Sequence, residues 1–297
     1  MVKLRDAGFC NVKLFALYIT VYAHLIEPQI WSSPVLYSLY RGIYFFHMPL
    51  FAFLSGLFLN SGAQCARQTR KGALLYVLAQ GVYLLVRGDV VWHTPYWHLW
   101  YLLSLSFWAA LGWLWHRAGC RFGWWILAVW ILLGTLIGKN PEVGRKWSFS
   151  RSLVFLPYFW TGLLCRKGLP DKKWLGLLAL AVAGLAVRFL AEEIRVVFLY
   201  QAAPYGENGP KLRLLCYLIG GLSVFGLLCL RPQKRFAITR AGADTLWPYI
   251  LHAPMVRFLW DYGLHPLLLG LIPAIYLYIL YKIRQWYAPM YGIVRKK

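Results

Sequence analysis

Apolar residues in this chain come in long blocks separated by short basic or turn-forming stretches, and it is this blocking, not a period of two, that predicts the elements. The runs at 14–31, 42–60, 72–87, 96–115, 124–138, 152–166, 174–191, 213–230, 245–260 and 264–281 each read as a helix that could sit in a bilayer. A perpendicular crossing wants about 20 residues, so the shorter runs predict thin, tilted or interrupted helices. The pattern predicts an all-α, polytopic integral membrane protein of about ten transmembrane helices. No Pro- or Ser-rich linker and no low-complexity tract separates the blocks, which predicts one membrane domain over residues 1–297 with no appended soluble domain. The stretches 139–150 and 192–212 are the longest candidates for an extracytoplasmic rim.

Composition agrees with the bilayer as solvent: 60% of residues are hydrophobic, 18% aromatic and only 14% charged, at a mean hydropathy of +0.52. The formal charge of +22 comes from basic residues gathered in short linkers, with no basic domain or recognition motif to receive a duplex, which argues against a nucleic-acid partner. Those residues orient the chain instead. With the N-terminus inside, 21 of the 32 lysines and arginines fall on segments of one side, which predicts a cell-membrane protein with both termini cytoplasmic.

Lys3 and Arg5 precede an apolar stretch as in a signal peptide, but that stretch carries His24 and Glu27 and no small-residue cleavage site follows. The six cysteines, Cys10, Cys65, Cys120, Cys165, Cys216 and Cys229, are scattered without a CxxC pair, so neither a zinc site nor a disulfide framework is expected.

The most informative chemistry lies in the first run, NVKLFALYITVYAHLIEP. Lys13 and His24 are eleven residues apart. Eleven steps of a helix turn through three whole turns and roughly 20°, with a rise of about 16 Å, so both side chains share a face. A cation is thereby predicted at the membrane surface and an imidazole near mid-bilayer, where a titratable group is costly and points to function. Glu27, one turn on, shares the His24 face.

The second run, RGIYFFHMPLFAFLSGLFLN, holds His47 beside Pro49, with Ser55 and Gly56 beyond. Helix packing through small residues accounts for Ser55 and Gly56. His47 needs a polar partner or a wet cavity, and lining the same cavity as His24 is one option. Next comes Arg67-Gln68-Thr69-Arg70-Lys71, expected on the cytoplasmic side. It reads either as a positive-inside anchor or as an anion clamp, since two guanidiniums three residues apart share a helix face and grip phosphates bidentately.

The fourth run opens on His93, Tyr96, Trp97, His98, Leu99, Trp100 and Tyr101. Trp97, Trp100 and Tyr101 suit an interfacial aromatic belt, and the same faces stack on sugar rings, so an acceptor-binding role stays open. Arg151 stands at a helix entrance in SFSRSLVFLPYFWTGLL and is a candidate ligand contact, whereas Asp244 suits a helix cap and His252 a local polar contact.

Four pieces of this sequence carry a family resemblance: the K-x10-H of Lys13 and His24, FFHMPLFAFLSG from Phe45 to Gly56, the R-x-x-R of Arg67 and Arg70, and HLWYL from His98 to Leu102. SRSLVFLPYFWTG and PYILH add weaker support in the expected order. The chain resembles the acyltransferase 3 superfamily of integral-membrane acyltransferases, close to its fucose 4-O-acetylase-like branch.

The resemblance implies transfer of an acyl group, usually acetyl, from cytoplasmic acyl-CoA as donor to a hydroxyl of a carbohydrate, glycolipid or other envelope acceptor, with no metal. It puts His24 at the family's essential histidine, Arg67 and Arg70 at its arginine pair and Lys13 at the first position of the motif. Some relatives append an SGNH-type hydrolase domain. The length of 297 residues leaves no room for one here, so direct transfer or a separate envelope-modification protein is expected.

On this reading His24, oriented by Glu27, is general base or covalent acyl carrier, while Lys13, Arg67 and Arg70 take the donor and His47, His98, Trp100 and Arg151 the acceptor. A transporter or flippase would also place ionisable groups in mid-membrane, but the two halves show no inverted or parallel repeat. A non-catalytic acyltransferase-like sensor is the third reading, weakened by the presence of the motif residues.

Overall fold

The computed structural model describes residues 6–87, 91–139, 146–165, 172–201 and 208–290. Among them every regular element is helical. Ten helices overlap the ten apolar runs one by one: α1 (Ala7–Ile26), α2 (Pro34–Leu57), α3 (Gly62–Val86), α4 (Trp100–Arg117), α5 (Gly123–Leu136), α6 (Phe149–Leu164), α7 (Lys173–Phe189), α9 (Gly209–Cys229), α10 (Leu246–Trp260) and α11 (Pro266–Met290), with a single turn, α8 (Val196–Leu199), before α9.

Among the described residues three segments are long and apolar enough to cross a membrane, Ala7–Gln29, Gly209–Cys229 and Pro266–Trp286. Helix α5 is strongly apolar, but its 14 residues rise only about 21 Å against a hydrocarbon core of about 30 Å. Lys3, Arg5, Arg166, Lys167 and parts of the two expected rim loops, 140–145 and 202–207, lie outside the described residues.

Local chemistry sets the helix starts. The Asp6 carboxylate accepts from the backbone N–H groups of Gly8 at 2.9 Å and Phe9 at 3.4 Å, capping α1. The hydroxyl of Ser61 accepts from Gln64 N–H, while the Gln64 side chain accepts from Asn60 N–H at 2.6 Å. This cap starts α3 ten residues before the apolar run that predicted it, so the arginine-bearing stretch, expected as a linker, is the opening of a helix. Ala, Gln, Arg and Lys are good helix formers, and hydropathy alone does not register them.

Two compact units make up the chain, a central one from Tyr44–Leu230 and a terminal one from Leu4–Ile43 with Arg231–Lys297. In the terminal unit α1 packs against α10, α11 and the 3₁₀ stretch Ala237–Ala243. A Cβ on Gly242 would run into the Cys10 carbonyl, so only glycine permits this approach. The Asn11 amide donates to the carbonyls of Pro232 at 2.8 Å and Lys234 at 3.0 Å, tying the chain ends together. Tyr18 donates to Gly270 O at 2.6 Å and Gln29 to Leu264 O at 2.8 Å.

In the central unit α3 packs on α4, α4 and α5 on α6, and α5 and α7 on α9. Gly56 of α2 and Gly162 of α6 face each other's backbone: a Cβ on Gly56 would strike the Phe159 carbonyl, and one on Gly162 the Phe53 carbonyl. Gly56, read from the second run, therefore does serve close helix approach, while Ser55 shares a hydrogen bond with the Tyr101 hydroxyl at 2.7 Å. Trp108 of α4, fully buried, donates its indole N–H to Ser152 O at 2.8 Å.

Candidate functional site

His24 sits in the last turn of α1 and is buried, 8% exposed. Its Nδ1 lies 3.3 Å from Oε2 of Glu27, the residue that ends the helix. A carboxylate can only accept, so this contact puts the ring proton on Nδ1 and, in the neutral ring, the lone pair on Nε2. The indole of Trp260 donates to the His24 carbonyl at 2.8 Å, anchoring the end of α1 to α10. A second imidazole lies alongside: the His252 ring stacks on that of His24, with centroids 5.4 Å apart and 18° between planes. His252 is fully buried, and its Nδ1 donates to Tyr249 O at 2.5 Å, which fixes its tautomer in the same sense.

Lys13 lies half-buried on α1, within electrostatic reach of Asp244. Asp244 does not cap α10, whose N-cap position is Thr245. It accepts an ion pair from Arg284 at 3.0 Å, because the 3₁₀ stretch before α10 turns its carboxylate toward α11. The terminal unit thus joins His24 to Glu27 and His252 and, separately along α1, brings Lys13 near Asp244; the sequence assigned His252 and Asp244 only local roles. PYILH contained the His252 signal, but its pairing with His24 depends on α1 and α10 meeting, which no spacing encodes.

In the central unit Arg67 and Arg70 are exposed one turn apart on α3, and among the described residues neither has a hydrogen bond, ion pair or ring contact. The α3–α4 register brings Gly62 against His116, so the start of α3 and the end of α4, with Arg117, form one basic end. Two unneutralised guanidiniums on one helix face suit a polyphosphate ligand.

His47 is buried on α2 with its ring edge-on to Tyr44, centroids 4.6 Å apart. Tyr44 meets Tyr200 at 5.6 Å. Arg151 Nε donates to Tyr200 O at 2.8 Å, and its guanidinium lies over the rings of Trp100 at 5.6 Å and Tyr200 at 5.7 Å. His47, Trp100 and Arg151 therefore belong to one aromatic and cationic cluster, joined by Tyr44 and Tyr200, which sequence reasoning missed. Tyr200 lies in an irregular stretch without motif or period, so only the fold reveals it. His98, also buried, has Tyr83, Tyr96 and Trp97 as ring neighbours, where Tyr83 and Tyr96 stack at 3.9 Å.

Comparison with known proteins supplies the family. The family model described as an acyltransferase domain, of the acyltransferase 3 type, matches residues 11–283. No curated protein and no solved structure matches the chain. The match takes in His24, Glu27, both arginines, the aromatic cluster and the apolar helices of a membrane protein, and the chain belongs to the acyltransferase 3 family.

Proposed function

We propose that this protein is a multi-pass membrane O-acetyltransferase of the cell envelope that moves an acetyl group from cytoplasmic acetyl-CoA to a hydroxyl of a carbohydrate or glycolipid, with His24 as general base. The observation that carries the reading is the buried His24 ring, held at Nδ1 by Glu27 and stacked on His252. Nε2 of the neutral ring takes the proton from the acceptor hydroxyl as its oxygen attacks the thioester carbonyl. The carbon–sulfur bond breaks, and the proton passes from His24 to the CoA thiolate, closing the cycle without net change in the protein. Glu27 holds the ring and stabilises the imidazolium while it lasts.

Arg67 and Arg70 take the donor's phosphates as bidentate hydrogen-bond donors. Lys13 adds a cation on the α1 face that carries His24. Trp100, Arg151 and His47, with the neighbouring His98 set, take the acceptor through ring stacking and hydrogen bonds to sugar hydroxyls.

Radiolabelled acetyl-CoA turnover by the purified protein in nanodiscs tests this, with wild type beside His24→Ala and the Arg67→Ala/Arg70→Ala pair. CoA release that needs His24, with the arginine pair affecting mainly donor affinity, is the expected result. Hydroxylamine-sensitive label left on the protein would make His24 an acyl carrier instead. Full turnover by folded His24→Ala overturns the assignment.

A further inference from the structure

A groove of about 620 Å³ lies on α4, α5 and α6 of the central unit, within the range of ligand-sized clefts. Its walls are Trp115, Phe122, Trp125, Trp130 and Trp160 with aliphatic neighbours, and among the described residues Arg121 is the one cation that lines it. The two floor indoles direct their N–H groups into the protein: Trp115 donates to Arg121 O at 2.9 Å and Trp160 to Gly123 O at 2.9 Å. They present apolar ring faces to the groove, which suits a hydrocarbon and not a sugar or a nucleotide.

Arg121 is exposed, rests over the Phe122 ring at 5.6 Å, and has no acidic partner among the described residues. Trp124 and Trp125, at the start of α5, are 65% and 76% exposed, as indoles at a headgroup boundary are. Arg121 therefore lies at headgroup level, with the groove running from it along a helix too short for a full bilayer core.

We propose that this groove is a binding site for an anionic phospholipid, one acyl chain lying on the tryptophan faces and the phosphate paired with Arg121. Charge complementarity selects the occupant: an apolar trough ending in one unneutralised guanidinium matches a hydrocarbon chain ending in a net negative headgroup. A zwitterionic lipid would place its own cation beside Arg121 and lose most of that attraction. The site is independent of the acyltransferase reading and of its residues.

Native mass spectrometry of the delipidated full chain, titrated with phosphatidylglycerol or phosphatidylcholine of identical acyl chains, tests the proposal. One phosphatidylglycerol should be retained about fivefold more tightly than phosphatidylcholine, the worth of one charge near a membrane surface. Arg121→Gln should abolish that ratio while leaving phosphatidylcholine retention unchanged, and Arg121→Lys should keep part of it. Val129→Trp, which fills the groove from a position already 51% exposed, should weaken both lipids. Equal retention of the two lipids by wild type, a preference that survives Arg121→Gln, or unchanged binding by Val129→Trp would each overturn it.

Discussion

The imidazole of His252 is stacked on that of His24 at 5.4 Å between centroids, with 18° between planes, in a buried contact between α1 and α10. A ring held on one face by a second ring, and at one nitrogen by a carboxylate, has little freedom to leave its orientation. His252 is in this sense a positioning residue for His24.

Replacing His252 tests that role. Since small misplacements of a reacting group cost up to about 10²-fold, His252→Ala should lower kcat by about that order with little change in donor KM. His252→Phe, which keeps a ring against His24, should recover much of the loss. Steady-state kinetics on both variants, with thermal unfolding as a control for folding, decides it.

Glu27→Gln retains an oxygen that can accept from His24 Nδ1 but removes the charge facing the imidazolium. The variant should bind acetyl-CoA normally in equilibrium measurements and lose about 10²-fold in turnover, the lower end of what a positioned proton-transfer group contributes. Unchanged turnover would remove Glu27 from the mechanism.

Arg67→Ala/Arg70→Ala should raise the KM for acetyl-CoA by about thirtyfold, since each of the two exposed charge-assisted contacts is worth on the order of 1 kcal/mol. It should also flatten the dependence of KM on ionic strength, because the attraction being removed is screened by salt. Titration at low and high salt measures both.

Arg151→Lys keeps the charge but loses the planar guanidinium that lies over Trp100 and Tyr200. Donor-only CoA release should be unaffected, while acceptor-dependent turnover should fall nearly as far as in Arg151→Ala. Comparing the two activities in one preparation checks this.

Gly56→Ala should destabilise the protein by about 1–3 kcal/mol, because the new methyl group meets the Phe159 carbonyl and backbone cannot yield as a side chain can. Gly42→Ala on the same helix meets nothing within 4 Å, and should be neutral or stabilising by about 0.5–1 kcal/mol. Thermal unfolding in detergent distinguishes the pair.

How much of this was legible in the chain can be followed residue by residue. Each of the ten blocks of apolar residues overlaps a helix, because a long apolar block satisfies its backbone most readily by coiling, but among the described residues only three segments are long and apolar enough to cross a membrane. The eleven-residue step determined that Lys13 and His24 share a face of α1, and the three-residue step brought Glu27 to His24, since helix geometry is local. The start of α3 was hidden, because its first ten residues, Gly62 to Lys71, are helical by capping and propensity and not by hydropathy. Contacts between elements were left to the tertiary structure: His252 against His24, Arg284 on Asp244, and Tyr44 and Tyr200 joining His47 to Arg151. Residues 228 positions apart, as His24 and His252 are, meet only once helices have chosen partners. That choice rests on side-chain packing and close glycine approaches, for which one sequence carries no repeating signal.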